Sequence, residues 1–203
     1  MTSAFHRSLI GLLGSALCTG SMSFAQADPL PIPSVDYSIK ATMTGGMTMI
    51  SRHSNGKLRV DVQPPGMPQP MTSYFDLRTR KGVSVMSVPG MAPMAIEMEL
   101  DDKGGHGVAT GTGQRVGSAT IAGEACDLWQ VEPTDTEDKT ADTVSCVTAD
   151  GIPLRVEATV NGKRETVFEA TEISRAPVDA KLMTPPANVK PMQLPKGMMP
   201  PFK

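Results

Sequence analysis

The chain has 203 residues, room for one ordinary domain or two small ones, with 20% charged, 39% hydrophobic and only 4% aromatic residues. Lys+Arg 19 against Asp+Glu 21 leaves a formal charge of -2, so there is no basic surplus to neutralise a phosphate backbone and nucleic acid is excluded as a partner. Apolar content is too high and net charge too low for a disordered chain, while 19 Gly and 18 Pro favour many short strands over a helical bundle.

The chain opens with Arg7, no acid, an apolar stretch from Leu9 to Leu17, and Ala25-Gln26-Ala27. A basic start, an apolar run too short to span a bilayer and small residues at a cleavage point predict a secretory signal peptide over residues 1–27, cut after Ala27. A retained membrane anchor is the rival reading. Lipidation at Cys18 would need a small residue before the cysteine, and Leu17 is bulky. No later apolar run approaches membrane length, so no transmembrane segment is expected after cleavage, and the expected location is the periplasm.

Export sets how the cysteines read. Cys18 leaves with the leader, and Cys126 and Cys146 fall in two consecutive strand-like segments. In an oxidising compartment they are expected to form one disulfide. Their spacing is far from Cys-x-x-Cys and no basic residue adjoins either thiol, which argues against a redox pair.

A Pro-rich segment, 28–34, precedes the first strand. Val35, Tyr37, Ile39, Ala41 and Met43 then alternate with polar residues, a strand with one buried face. Asn55-Gly56 predicts a two-residue hairpin turn that sets Ser54 opposite Lys57 and His53 opposite Leu58. Met47, Met49 and Ser51 then share a face with Leu58, Val60 and Val62, while Arg52, Lys57, Arg59 and Asp61 share the other. Met71, Phe75 and Leu77 alternate with Tyr74, Asp76 and Arg78, and a turn at Arg80-Lys81-Gly82 leads to Val83–Val88. Beyond Pro89-Gly90, Ile96, Met98 and Leu100 alternate with Glu97 and Glu99. Residues 101–117 read as a Gly-rich loop. Val116–Ile121 and Ala125–Val131 flank a turn at Gly123-Glu124, and an acidic loop, Glu132–Asp142, leads to Thr143–Thr148. After a turn at Asp150-Gly151, Leu154, Val156, Ala158 and Val160 form a strand ending at Asn161-Gly162. Residues 164–173 pair back with a mixed alternation that leaves their register open.

No segment of helical length carries a 3.6-residue period. The expected fold is all-β: a curved antiparallel sheet or unclosed barrel of about nine to eleven strands in meander topology over residues 35–175, with few or no helices after the leader. Residues 176–203, with seven prolines from Pro177 to Pro201, are expected to be extended and to lie on or leave the barrel.

The order Gly123, Cys126, Trp129, Cys146 and Asp150-Gly151-Ile152-Pro153-Leu154-Arg155 resembles a group of exported bacterial domains of the lipoprotein-carrier (LolA/LolB-like) superfamily. The closing Ala176-Pro177 and Pro185-Pro186-Ala187-Asn188-Val189-Lys190 is similar to their C-terminal strand exit. The resemblance covers roughly residues 35–192. It implies a curved antiparallel sheet with an apolar concave face that shields acyl chains in the envelope. This sequence departs from the carriers in lacking a clear lid helix and an aromatic-rich lining.

Methionine, with 15 residues, is the compositional oddity. Met43, Met47 and Met49 cluster, as do Met67 and Met71, and Met91, Met94 and Met98. Three readings stand open. Met replaces the missing aromatics as a flexible core filler; its soft thioethers hold Cu(I), with Met47, Met49 and His53 on one face as ligands; or it lines an adaptable apolar groove. His53 otherwise reads as a strand-end residue, and His106, among glycines, as solvated. No zinc spacing exists.

Gly111-x-Gly113-x-x-x-Gly117 misses the dinucleotide pattern, has no Lys-Ser/Thr pair, and is followed by no helix. Glu97, Glu99 and Asp101 fall on a polar strand face, so paired-carboxylate hydrolysis is not indicated. No serine sits in a Gly-x-Ser-x-Gly elbow. The acidic loop, with Asp135, Glu137, Asp138 and Asp142, misses the spacing of a calcium loop. Trp129 is expected to pack over the disulfide.

These features predict a non-enzymatic exported protein without a cofactor, whose apolar groove binds an acyl chain, a lipid or a lipidated protein. Met47, Met49, Val60, Met94 and Met98 are the residues expected to line it. A periplasmic copper-binding protein using the Met clusters is one alternative, and a structural envelope protein without a small ligand is another.

Overall fold

Period-two sequences bounded by turn residues must bury one strand face, and they do so here in a single sheet. The computed structural model describes residues 27–87, 90, 92–100, 111–132, 142–187 and 189–192. Residues 1–26 of the expected leader, Val88 and Pro89, Met91, the glycines and His106 of 101–110, most of the acidic loop, Asn188 and the last eleven residues lie outside the described residues.

Among the described residues thirteen strands occur: β1 (Asp28–Pro29), β2 (Tyr37–Met43), β3 (Met47–Ser54), β4 (Lys57–Gln63), β5 (Met71–Asp76), β6 (Lys81–Met86), β7 (Met94–Glu99), β8 (Thr112–Ile121), β9 (Glu124–Val131), β10 (Thr143–Val147), β11 (Pro153–Val160), β12 (Lys163–Ser174) and β13 (Pro191–Met192). The number exceeds the expected nine to eleven because the two Pro-rich ends each add a two-residue strand. Thr44–Gly46 and Ala180–Met183 are single 3-10 turns, and no described helix is long and apolar enough to cross a membrane.

The sheet is curved and unclosed, with the order β1-β8-β9-β10-β11-β12-β2-β3-β4-β5-β6-β7-β13. All pairings are antiparallel except β13 with β7. The expected meander topology is present as two runs within the one sheet. Two meanders, β2–β7 and β8–β12, lie side by side through the pairing of β12 with β2. Alternation reports that a strand exists but not its neighbour, and a connection longer than a hairpin between β7 and β8 frees β8 from pairing beside β7.

Local turn chemistry explains the hairpins. Asn55-Gly56 and Asn161-Gly162 both hold positive φ, as the tight mirror-image turns require. The third tight turn is Ala122-Gly123 rather than Gly123-Glu124, since Glu124 already pairs with Ile121. Ser54↔Lys57 and His53↔Leu58 hold as expected. Gly82 lies in β6 and not in a turn. A Cβ there would stand 2.2 Å from Phe75 Cδ1, so glycine leaves the space the ring occupies. Residues 112–117 are likewise strand β8 rather than loop, which rules out a phosphate cradle at Gly113 and Gly117. The mixed alternation of β12 follows from two register shifts, one against β11 after Val156 and one against β2 after Ala170.

The concave face carries the main core: Tyr37, Ile39, Ala41, Met49, Leu58, Val60, Phe75, Leu154, Phe168 and Ala170, with Cys126 and Cys146. These two cysteines sit in β9 and β10 with Cα atoms 5.4 Å apart, and are disulfide-bonded. Trp129 does not pack over them. It alternates with Leu128 and so faces the convex side, against Leu30 and Val147.

Each Pro-rich end straps part of the convex face. Leu30 N–H donates to Gly111 O, and the Ile32 carbonyl sits where a Cβ on Gly151 would be. At the other end, Val178 N–H donates to Asp36 and Met183 is buried. Val189 packs on Tyr74, Val85 and Ala95. Asp61 accepts from Arg52 Nη1 at 2.7 Å, from Arg59 and from Thr72 Oγ1, and Arg59 Nη1 also donates to Leu182 O. This network ties the C-terminal strap to β3, β4 and β5.

Candidate functional site

Antiparallel hairpins bring every second turn to the same end of a sheet. Here the connections 44–46, 64–70 and 87–93 share one end, and methionines flank all three. Met43 closes β2 directly across from Met47, which opens β3. Met71 opens β5 across from Val62. Met86 closes β6 across from Met94, which opens β7. The register Thr72↔Val85, extended by one pair, sets Met71 beside Met86.

Period two fixes their face. Met43 continues the series Tyr37, Ile39 and Ala41, and Met86 lies two residues after Ser84 on the same face, where Ser84 pairs with Ser73 two residues before Phe75. All five point to the concave side and are half-buried. Met67, in the 64–70 connection, is 50% exposed and its carbonyl accepts from Gln63 Nε2. The product is a flexible apolar rim across six adjacent strands.

Of the residues expected to line a groove, Met47 and Met94 belong to this rim. Met49 and Val60, each 2% exposed, lie deep in the core instead. Met98 pairs with Gly82 at the opposite end of the sheet. The five do not form one open surface. Alternation assigns a side chain to a face but not to a depth, and the middle of this concave face is filled by the main core. The rim members Met43, Met71 and Met86 were identifiable from a different signal, the position of a Met as the last or first residue beside a turn.

The three-residue copper set is corrected by strand geometry. Met47 and His53 are six residues apart on β3, about 20 Å at the usual rise, and Met49 and His53 about 13 Å. They cannot converge on one ion. His53 Nδ1–H donates to Val35 O at 2.7 Å, and its ring stacks on Tyr37. Among the described residues no group of three or more His, Cys, Asp or Glu could hold a metal ion.

A cluster of three unpartnered polar atoms was not anticipated. Tyr37 Oη, Ser51 Oγ and His53 Nε2 are buried on the concave side without hydrogen-bond partners. Burial pushes the Tyr37 phenol well above its usual value, weakly opposed by the nearby Ser51 hydroxyl, although no bond of good geometry joins the two. Sequence pattern had marked His53 as a strand end or as a copper ligand beside Met47 and Met49. The available signal was the hairpin register, which sets His53 opposite Leu58 and Ser51 opposite Val60 on the apolar face. Elsewhere, Glu97 and Glu99 are exposed on β7, as expected of a solvated edge.

Compared with known proteins, the chain matches no protein family and no curated protein.

Proposed function

We propose that this chain is a non-enzymatic protein of the bacterial periplasm, of the lipoprotein-carrier type, that binds an acyl chain of a lipid or lipidated protein. The observation that carries the reading is the methionine rim formed by Met43, Met47, Met71, Met86 and Met94 at one end of the concave face. Unbranched thioethers adapt to an acyl chain without a fixed pocket shape, and each methylene they cover contributes about 0.8 kcal/mol. A cluster of half-buried, flexible apolar side chains at one end of a sheet offers an adaptable surface for an apolar partner.

A second reading has its own observation. Met43 and Met47 stand directly across from each other, as do Met86 and Met94. Cross-strand thioether pairs are suited to Cu(I).

Native mass spectrometry of the chain recovered from a bacterial periplasm separates the readings. The acyl reading expects added mass matching a fatty acid or phospholipid. That mass should be lost in Met47→Asp/Met94→Asp and kept in Met47→Leu/Met94→Leu, where the apolar volume is conserved. Bound copper that the Leu variant loses would replace it with the metal reading. A bare polypeptide in the wild type would favour a structural envelope role.

A further inference from the structure

Leucine at the rim would cover an acyl chain as well as methionine does, and methionine adds one property, a sulfur lone pair that oxidants attack. The rim gathers such sulfurs. Met71 stands beside Met86, which pairs with Met94, and Met43 pairs with Met47. Facing residues on neighbouring strands have Cβ atoms about 5 Å apart, so β5, β6 and β7 carry a continuous strip of thioethers. All five side chains are half-buried, within reach of a small oxidant. Met49 and Met183, 2% and 5% exposed, are shielded from one.

Most of the rim also lies outside what holds the fold together. Met43 packs against the main core, but the core clusters of the described residues take in none of Met47, Met71, Met86 and Met94. Oxidising these four therefore alters a surface and leaves the core as it is. The change in that surface is large for one atom. A sulfoxide oxygen is a strong hydrogen-bond acceptor, an acyl chain lying over it has no donor to offer, and burying it unserved costs free energy.

We propose that Met47, Met71, Met86 and Met94 form a redox-modification site, where oxidation by a hypohalous acid turns the rim polar and releases an apolar ligand. The sulfur lone pair attacks the electrophilic chlorine of hypochlorous acid and expels hydroxide. Water then adds to the sulfur as chloride leaves. Each thioether gains one oxygen and loses an electron pair, the chlorine is reduced to chloride, and one proton is released overall. A thiol-dependent methionine sulfoxide reductase reverses the step, removing the oxygen as water while two thiols become a disulfide. The inference rests on the acyl-chain reading and gives the same site a means of regulation.

Limited treatment of the delipidated, folded chain with hypochlorous acid, read by peptide mass spectrometry and by calorimetric titration with palmitic acid, tests it. The four rim methionines should gain oxygen at least about tenfold faster than Met49 and Met183, and equal rates would overturn the site. Palmitic acid should then bind at least about tenfold more weakly with circular dichroism unchanged, and reductase with dithiothreitol should restore binding. Met47→Leu/Met71→Leu/Met86→Leu/Met94→Leu should bind palmitic acid as the wild type does and keep that affinity after treatment; a loss there would overturn the assignment to these four. Unchanged affinity of the oxidised wild type, or loss of the folded signal along with binding, would overturn the switch and leave the acyl reading in place. An untreated chain that binds no palmitic acid would remove the acyl reading and the release step together. Treated and untreated wild type are compared directly, so a variant that fails to fold does not blunt the test.

Discussion

Replacing Tyr37 by Phe removes one oxygen from the centre of the core and should act twice on stability. The phenol is wholly buried and its oxygen has no hydrogen-bond partner. At pH 7 the wild type therefore carries a desolvated hydroxyl without compensation, and Tyr37→Phe should be neutral or more stable by up to about 1 kcal/mol. The second effect appears in alkali. Burial, only weakly opposed by Ser51, raises the folded-state phenol above its ordinary value of about 10. The folded state then keeps a proton that the unfolded chain gives up, so the native state binds more protons and stability falls as pH rises. The contribution is fully present below pH 10 and is lost progressively above it, by about 1.4 kcal/mol at pH 11. Urea unfolding at pH 7, 10, 10.5 and 11 measures both effects, and the variant should show a shallower alkaline decline. Phenolate absorbance adds a check, because one of the two tyrosines should resist titration until the chain unfolds. A loss above about 1 kcal/mol at pH 7, or identical alkaline slopes, would refute the claim that this hydroxyl is buried and unserved.

The Cys126–Cys146 bond closes a loop with a sequence separation of 20, so Cys126→Ser/Cys146→Ser should lose about 3 kcal/mol by loop-closure entropy, read from urea unfolding; a loss under about 1 kcal/mol would count against the bond. Gly82→Val should destabilise by about 1–3 kcal/mol through the clash with Phe75, whose ring lies 2.2 Å from the added Cβ, and an unchanged Tm would contradict that packing. Arg175 bonds Asp150 Oδ2 and Glu124 Oε1 at 2.8 Å each in a largely exposed setting, so Arg175→Gln should cost no more than about 1 kcal/mol, less in high salt. Arg175 holds the Asp150 carboxyl below its usual range, so this contribution is present above pH 4 and fades as pH falls further; a gap between wild type and variant that widens in acid would overturn the pairing.

Much of the strand framework could be read from alternation and turn residues. The Asn55-Gly56 register and the burial of Leu58 and Val60 follow from two signals a few residues long, and both hold. Neighbour relations were not legible, since no local pattern says that β12 pairs with β2. Nor was the fate of Tyr74. Its sequence neighbours Asp76 and Arg78 put it on a polar face, yet it is buried because the distant Val189 lies over its cluster. Trp129 was misread for the same reason, as its partner Leu30 is about a hundred residues away in the chain. At the candidate site, composition drew attention to methionine, but depth separated Met47 and Met94 from Met49 and Val60. Depth depends on how far the sheet curls, a property of the whole chain.

The way the sheet is finished bears on where it can meet another molecule. Both of its edges are two-residue strands containing proline, a form that resists pairing with a further strand. The convex apolar clusters around Trp129 and around Tyr74 are covered by the chain's own ends. Ile32, Val116, Val160 and Leu182 are exposed, but singly and on separate elements, as on any protein surface. Among the described residues, large apolar side chains with partial exposure gather at the methionine end of the concave face. A chain that uses both of its ends to cover one face while leaving flexible thioethers at the rim of the other has concentrated its adaptable apolar surface there.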